Sequence, residues 1–206
     1  DTQDKLSDFL ECFNKLYRFA NYITINISSP NTEGLRDFHE KDNLDKLLEA
    51  IQAAKKNNHL TCPVVVKISP DINEKEISDI NELILKYKIN GIILTNTTNQ
   101  NRENLSDVKK QESGGLSGAP LKDISTAWIK KFYKNNKGKI PIIGVGGVEN
   151  GQDVYDKIAA GASAVQLYTG MIYRGPAIVK DIKKELIEIL KKEKVKSIRD
   201  IVGINS

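Results

Sequence analysis

The sequence predicts an α/β fold of the (β/α)8 TIM barrel type, with only about the last five strand units present. Near-continuous apolar runs such as Val64-Val-Val and Gly91-Ile-Ile-Leu have the character of parallel strands buried on both faces. Stretches with apolar residues at three- and four-residue spacing separate these runs, as amphipathic helices do. Polar or glycine-rich segments (SSPNT, KISPD, TNTT, VGGVENG and LYTG) follow the carboxyl end of each strand. That is the rim on which barrels place their chemistry. An open, doubly wound sheet is the competing topology, but no dinucleotide-type glycine fingerprint follows the first strand.

Taken in order, Leu6, Phe9, Leu10, Phe13, Leu16 and Tyr17 mark a first helix, and Tyr22 to Ile27 a first strand. A second helix runs through Leu44, Leu47, Leu48 and Ile51. The second strand carries Val64, Val65, Val66 and Ile68, interrupted by Lys67. Asn73 and Glu76 have the spacing of a capping box, opening a helix through Ile77, Ile80, Leu83 and Ile84. Gly91 to Thr95 is the third strand. A helix with Trp128, Ile129 and Phe132 leads to the strand Ile140 to Val145. A short helix through Val154, Tyr155 and Ile158 stops at Gly161, and the strand Ala164 to Tyr168 follows. Ile178, Ile182, Leu186, Ile189 and Leu190 define a long last helix. Residues 1–206 therefore read as one domain, the C-terminal portion of a single barrel whose first strands belong to a preceding segment.

The formal net charge of +4 is spread over helix faces, with no basic patch of interleaved aromatics, which argues against a nucleic-acid partner. The two cysteines and two histidines lack the spacing of a tetrahedral metal site, so no metal is expected. Cys12, on an apolar helical stripe, and Cys62, just before a strand, are expected to be buried thiols in a reducing compartment. His39, in the loop after the first strand, and His59, at the opposite rim, are expected to be solvated. No apolar run reaches the roughly 18 residues needed to cross a bilayer, and no signal peptide is visible.

Three glycine-rich segments, Gly114 to Gly118, Gly144 to Gly147 and the stretch ending at Gly170, face one rim. Each alone reads equally as a turn. Together they suit a bound phosphate, because glycine lets backbone N–H groups approach an anion. A lysine inside an apolar strand needs an anionic or electron-rich partner. Lys67 is therefore either paired with a carboxylate or placed to stabilise negative charge on a cofactor ring. Asn96 and Thr97 offer amide and hydroxyl groups to a polar substrate edge. Ser29 sits in no nucleophile elbow and has no assignable histidine partner. Locked by Pro30 between Asn26 and Asn31, it reads as a positioned proton acceptor.

Asn26-Ile-Ser-Ser-Pro-Asn-Thr, Val66-Lys-Ile-Ser-Pro-Asp, Thr95-Asn-Thr-Thr, Gly114-Gly-Leu-Ser-Gly, Pro141-Ile-Ile-Gly-Val-Gly-Gly-Val and Gln166-Leu-Tyr-Thr stand in this order along essentially the whole chain. They closely resemble the dihydroorotate dehydrogenases, specifically the membrane-associated, quinone-dependent class 2. The resemblance implies an FMN-dependent oxidoreductase that converts (S)-dihydroorotate to orotate in pyrimidine biosynthesis and passes electrons to a quinone. It implies peripheral attachment to a mitochondrial or bacterial inner membrane through an N-terminal segment. By motif, Ser29 would be the catalytic base at the substrate's C5, and Asn26 would touch both flavin and substrate. Asn31, Asn96 and Thr97 would hold the substrate; Lys67 and Thr95 would contact the flavin ring. Gly118, Gly147, Tyr168 and Thr169 would hold the ribityl phosphate, mostly through backbone groups. The alternatives are a soluble class 1 enzyme, which carries cysteine where this chain has Ser29, and a non-redox phosphate-binding isomerase or lyase on the same barrel. An inactive truncated copy is the third.

Overall fold

Branched aliphatic side chains pack well on a pleated surface and lose rotamer freedom in helices, so the Val- and Ile-rich runs settle as strands. A computed structural model describes residues 4–100, 102–103 and 105–206. Its strands are β1 (Ile23–Asn26), β2 (Val64–Ile68), β3 (Gly91–Leu94), β4 (Ile142–Val145) and β5 (Ala164–Gln166). All pairs are parallel, and the spatial order is β1-β2-β3-β4-β5. A doubly wound sheet reverses its strand order at a switch point. This sheet does not reverse, so it follows the singly wound path of a barrel wall.

The helices are α1 (Lys5–Leu16), α2 (Lys41–Asn57), α3 (Glu74–Lys86), α4 (Lys122–Asn136), α5 (Gly151–Ala159), α6 (Thr169–Arg174) and α7 (Ile178–Lys192). Successive helices α1 to α5 pack side by side, as an outer ring requires. The capping box read at Asn73 and Glu76 is formed, with both reciprocal hydrogen bonds present. The strands are shorter at their ends than the apolar runs. β5 stops at Gln166 because Tyr168 opens α6, a short helix that the sequence pattern does not announce.

Alternation sends Val64, Val66 and Ile68 outward under the helices, where they join Ile25, Ile92, Leu94, Ile142, Leu47 and Ile80 in one buried cluster. The opposite parity lines the inner face. There Asn26 lies beside Lys67, Lys67 beside Ile93 and Ile93 beside Ile143. A second cluster of Val148, Val154, Ile158, Ile178, Ile182 and Ile201 seats α7 against α5.

Two expectations from the sequence are corrected. Cys12 is exposed and Cys62 only partly buried; Phe13, one position round the helix from Cys12, is the fully buried residue of α1. His39 is 3% exposed rather than solvated, whereas His59 is exposed as expected. The His39 ring bridges two rim loops: the Ser69 N–H donates to Nε2 at 3.1 Å, and Nδ1 lies 2.9 Å from the Arg36 carbonyl. These partners require a neutral ring with its hydrogen on Nδ1. Beside it, the Asp71 carboxylate accepts from Arg36 Nη1 (3.0 Å), the Asn99 N–H (2.9 Å) and the Thr98 hydroxyl. Arg36 also donates to the Thr97 carbonyl at 3.2 Å. The loops after β1, β2 and β3 are thus tied into one rim.

Burial lowers the His39 pKa from its ordinary value of 6.5. The unfolded chain therefore binds a proton at a pH where the folded chain does not, so stability falls as pH drops through 6.5 toward the folded pKa and is unaffected above that window. Urea melts from about pH 7 to about pH 5 should show wild type losing more stability on acidification than His39→Gln. Parallel losses in the two proteins would contradict the buried neutral ring.

Candidate functional site

The carboxyl ends of β2 to β5 open into a cleft lined by Lys67, Thr95, Asn96, Thr97, Gly118, Gly147, Tyr168 and Thr169, among others. Lys67 projects from the inner face of β2. Among the described residues it forms no ion pair, and burial alone lowers its pKa from 10.5. The carboxylate-partner reading of this lysine is therefore not what the structure shows. Beside it, the Thr95 Oγ1 is buried without a hydrogen-bond partner. The Thr95 backbone is fixed by donation to the Val145 carbonyl (3.0 Å), and Asn96 donates to the Ile68 carbonyl (2.9 Å). A buried polar group without a partner costs about 1–3 kcal/mol, so the cleft is made for something polar.

The far wall is backbone. Gly147 has φ +66°, and a Cβ there would stand 2.7 Å from the backbone of Lys122 at the start of α4. Gly118, at φ +80°, has more room, with the Thr169 Cγ2 3.0 Å from where a Cβ would stand. Both positions need glycine for conformation, and Gly147 needs it for clearance as well. The Thr169 hydroxyl donates to Ser117 Oγ at 3.0 Å, joining the two glycine loops. The first amides of α6, at Thr169 and Gly170, have no acceptor within their own helix. The Tyr168 side chain is largely exposed.

A polar cluster joins the cleft to the end of β1. Asn96 Nδ2 donates to Ser28 Oγ (2.9 Å) and to Asn26 Oδ1 (3.3 Å), and Ser28 Oγ donates to Asn26 Oδ1 (2.9 Å). The Asn96 Oδ1 accepts the Thr97 N–H at 2.8 Å. Ser28, fully buried at the centre of this cluster, escapes the sequence reading. Its signal was available: it shares the inward parity of Asn26, two residues away.

Ser29 and Asn31 do not line the cleft; they sit on the adjoining turn after β1. Ser29 Oγ accepts from the Asn31 N–H (3.3 Å) and from the Thr32 hydroxyl (3.5 Å). This turn abuts the glycine loop, since a Cβ on Gly115 would lie 2.9 Å from Pro30 Cγ. The structure thus gathers Lys67, Thr95, Asn96, Thr97, Gly118, Gly147, Tyr168 and Thr169 in one cleft. It connects Asn26 to them through Asn96 and keeps Ser29 and Asn31 on the neighbouring rim.

The chain matches the family model described as Dihydroorotate dehydrogenase over residues 1–190. It is 44% identical over 206 residues to a protein of Trichodesmium erythraeum named dihydroorotate dehydrogenase (quinone), covering 96% of this chain and 53% of that protein. A mitochondrial dihydroorotate dehydrogenase (quinone) of Oryza sativa subsp. japonica is 40% identical over 208 residues, covering 98% of this chain and 44% of its own length. The ligand-free crystal structure of dihydroorotate dehydrogenase from Eimeria tenella superposes with a TM-score of 0.95 at 39% identity, covering 100% of this chain and 61% of that one. The chain spans about half the length of the curated relatives it matches. With the family match over most of the chain and the five-strand wall shared with a solved relative, this chain belongs to the dihydroorotate dehydrogenase family.

Proposed function

We propose that residues 1–206 are the C-terminal part of a single FMN-binding barrel that oxidises (S)-dihydroorotate to orotate in pyrimidine biosynthesis and passes the electrons to a quinone. The carrying observation is a cation and a buried hydroxyl, Lys67 and Thr95, both unpaired among the described residues and facing a glycine cradle across one cleft. A planar, electron-rich ring with a phosphate tail meets both requirements. Bound FMN supplies a two-electron acceptor for the hydride lost by the substrate.

The chain's own residues divide the work. Backbone amides around Gly118, Gly147, Tyr168 and Thr169 hold the phosphate. Lys67 and Thr95 hold the polar edge of the ring, with the ammonium opposing negative charge that gathers there. Asn26 touches ring and substrate, while Asn31, Asn96 and Thr97 fix the substrate's polar edge. The Asn26–Ser28–Asn96 cluster sets the amide orientations, because each of its oxygens already has an assigned donor.

Ser29 takes the proton from the substrate's C5. Its oxygen accepts from the Asn31 N–H (3.3 Å) and the Thr32 hydroxyl (3.5 Å), which orients the hydroxyl and turns its own hydrogen away from them. That hydrogen leaves as a proton to solvent as the C5 proton arrives. Serine at position 29, together with relatives named as quinone enzymes, supports the quinone-linked class over the cysteine-bearing one. An isomerase or lyase would leave the Lys67 ammonium and the Thr95 hydroxyl without a role.

We assign the protein to the surface of a mitochondrial or bacterial inner membrane, reached through an N-terminal segment outside residues 1–206. The mitochondrial name of the rice relative supports this reading. Among the described residues, no helix is long and apolar enough to cross a membrane.

Each role is measurable in protein carrying the complete barrel. Ser29→Ala should slow flavin reduction by dihydroorotate by about 100- to 10,000-fold while FMN binding and quinone reoxidation stay near wild type. Rapid-mixing absorbance separates the two half-reactions, and wild-type flavin reduction in Ser29→Ala would remove Ser29 from the chemistry. Lys67→Met should slow flavin reduction by about 100-fold or more, or release the flavin. Unchanged flavin content and reduction rate in that variant would end the assignment of Lys67.

A further inference from the structure

Behind the glycine cradle, on the helix side of β4, lies a second lysine without a carboxylate partner. Lys157 of α5 is 0% exposed, yet it forms no ion pair among the described residues. Its ammonium donates to Ser125 Oγ (3.1 Å), Thr126 Oγ1 (3.1 Å) and the Lys122 carbonyl (3.3 Å). All three acceptors lie in the first turns of α4. Ser125 Oγ passes the connection on, donating to the Val145 carbonyl at 2.6 Å and lying 3.4 Å from the Leu94 carbonyl. Those carbonyls end β4 and β3, immediately before Gly146 and Thr95.

Gly144 of β4 clears space for Ile129, whose Cδ1 would stand 2.8 Å from a Cβ there, and leaves the Lys157 stem in ordinary contact at 3.4 Å. The nearest acid on its own helix is engaged elsewhere. Asp153 pairs with Lys122 Nζ (2.9 Å) and accepts the N–H groups of Glu149 (2.9 Å) and Asn150 (3.2 Å). A buried ammonium is costly unless it is well bonded, and a purely structural filler would be apolar. Here the charge grips the first turns of α4, whose Lys122 backbone packs on Gly147, and Ser125 carries that hold to the end of β4, with the end of β3 close by.

We infer that Lys157 is a positioning residue of the phosphate cradle, holding the Gly146–Gly147 turn through Ser125 and the first turn of α4. This rests on the FMN reading above. Burial lowers the Lys157 pKa to about 8, against the opposing fields of Asp153, Asp123 and Asp156, with Lys122 adding to the lowering. Asp153 and Asp156 lie on α5, and Lys122 and Asp123 on α4; β4 presents no titratable side chain. Deprotonation removes one donor and the charge, so the cradle should loosen as pH rises through about 8.

The test compares FMN with riboflavin, which lacks the phosphate, by flavin fluorescence titration of complete-barrel apoprotein. Wild type, Lys157→Met and Ser125→Ala are measured from about pH 6 to about pH 10. Lys157→Met should weaken FMN binding about tenfold or more at neutral pH while changing riboflavin binding much less. Wild-type FMN affinity should fall above about pH 8, and the Lys157→Met profile should stay level across that step. Ser125→Ala should reproduce the weakening for FMN. Wild-type FMN affinity in folded Lys157→Met, or an equal loss for both ligands, would overturn the inference. Should Lys157→Met fail to fold, unchanged FMN affinity in Ser125→Ala would overturn it alone. Wild-type apoprotein that binds neither flavin would instead refute the functional reading on which the inference rests.

Discussion

Strand parity is the constraint on which the site depends. In β2, alternation sends Val64, Val66 and Ile68 under the helices and leaves Val65 and Lys67 on the inner face. The neighbouring strands hold that choice, because Asn26 and Ile93 flank Lys67 in register. A one-residue slip would bury the ammonium beneath helices and turn Val66 toward the cleft, so the register that builds the core also places the cation. With the lysine fixed, the loops at the same strand ends supply the rest of the site.

Those loops are anchored by a few buried apolar side chains such as Ile27 and Val148, and charge and hydrogen bonding fix their polar parts. Asp71 gathers Arg36, Thr98 and the Asn99 amide, and Arg36 reaches the Thr97 carbonyl. His39 ties the Ser69 amide to the Arg36 carbonyl. On the other side, Asp153 and Lys157 fix the start of α4 against the turn after β4. The cleft is thus supported by two polar networks, one under the loops after β1, β2 and β3 and one behind the glycine cradle. Among the described residues, Lys67 and the Thr95 hydroxyl face it without partners of their own.

Much of this was legible in the residues, and the gaps have physical causes. Apolar runs and helical spacing located all five strands and the main helices, and the Asn73–Glu76 spacing gave a capping box that forms as read. Lys67 was legible because a charge within an apolar strand has few places to go. His39 was misread because its partners, Ser69 and Arg36, converge only when two loops fold over one another. Cys12 was misread because one position round a helix decides between core and solvent. Ser28 and Lys157 were missed because their significance lies in long-range partners, Asn96 for one and Ser125 for the other. Ser29 was legible from its neighbours and Asn31 from motif resemblance, but their place on a turn beside the cleft depends on how that loop folds against Gly115.

The account stands on one claim, that the cleft between Lys67 and the Gly118–Gly147 cradle is a flavin site. The most direct measurement is the visible absorption spectrum of protein carrying the complete barrel, with the pigment released by denaturation and identified by mass. The account predicts stoichiometric FMN, bleached when dihydroorotate is added under anaerobic conditions. A colourless protein that takes up no FMN when the flavin is supplied would contradict it.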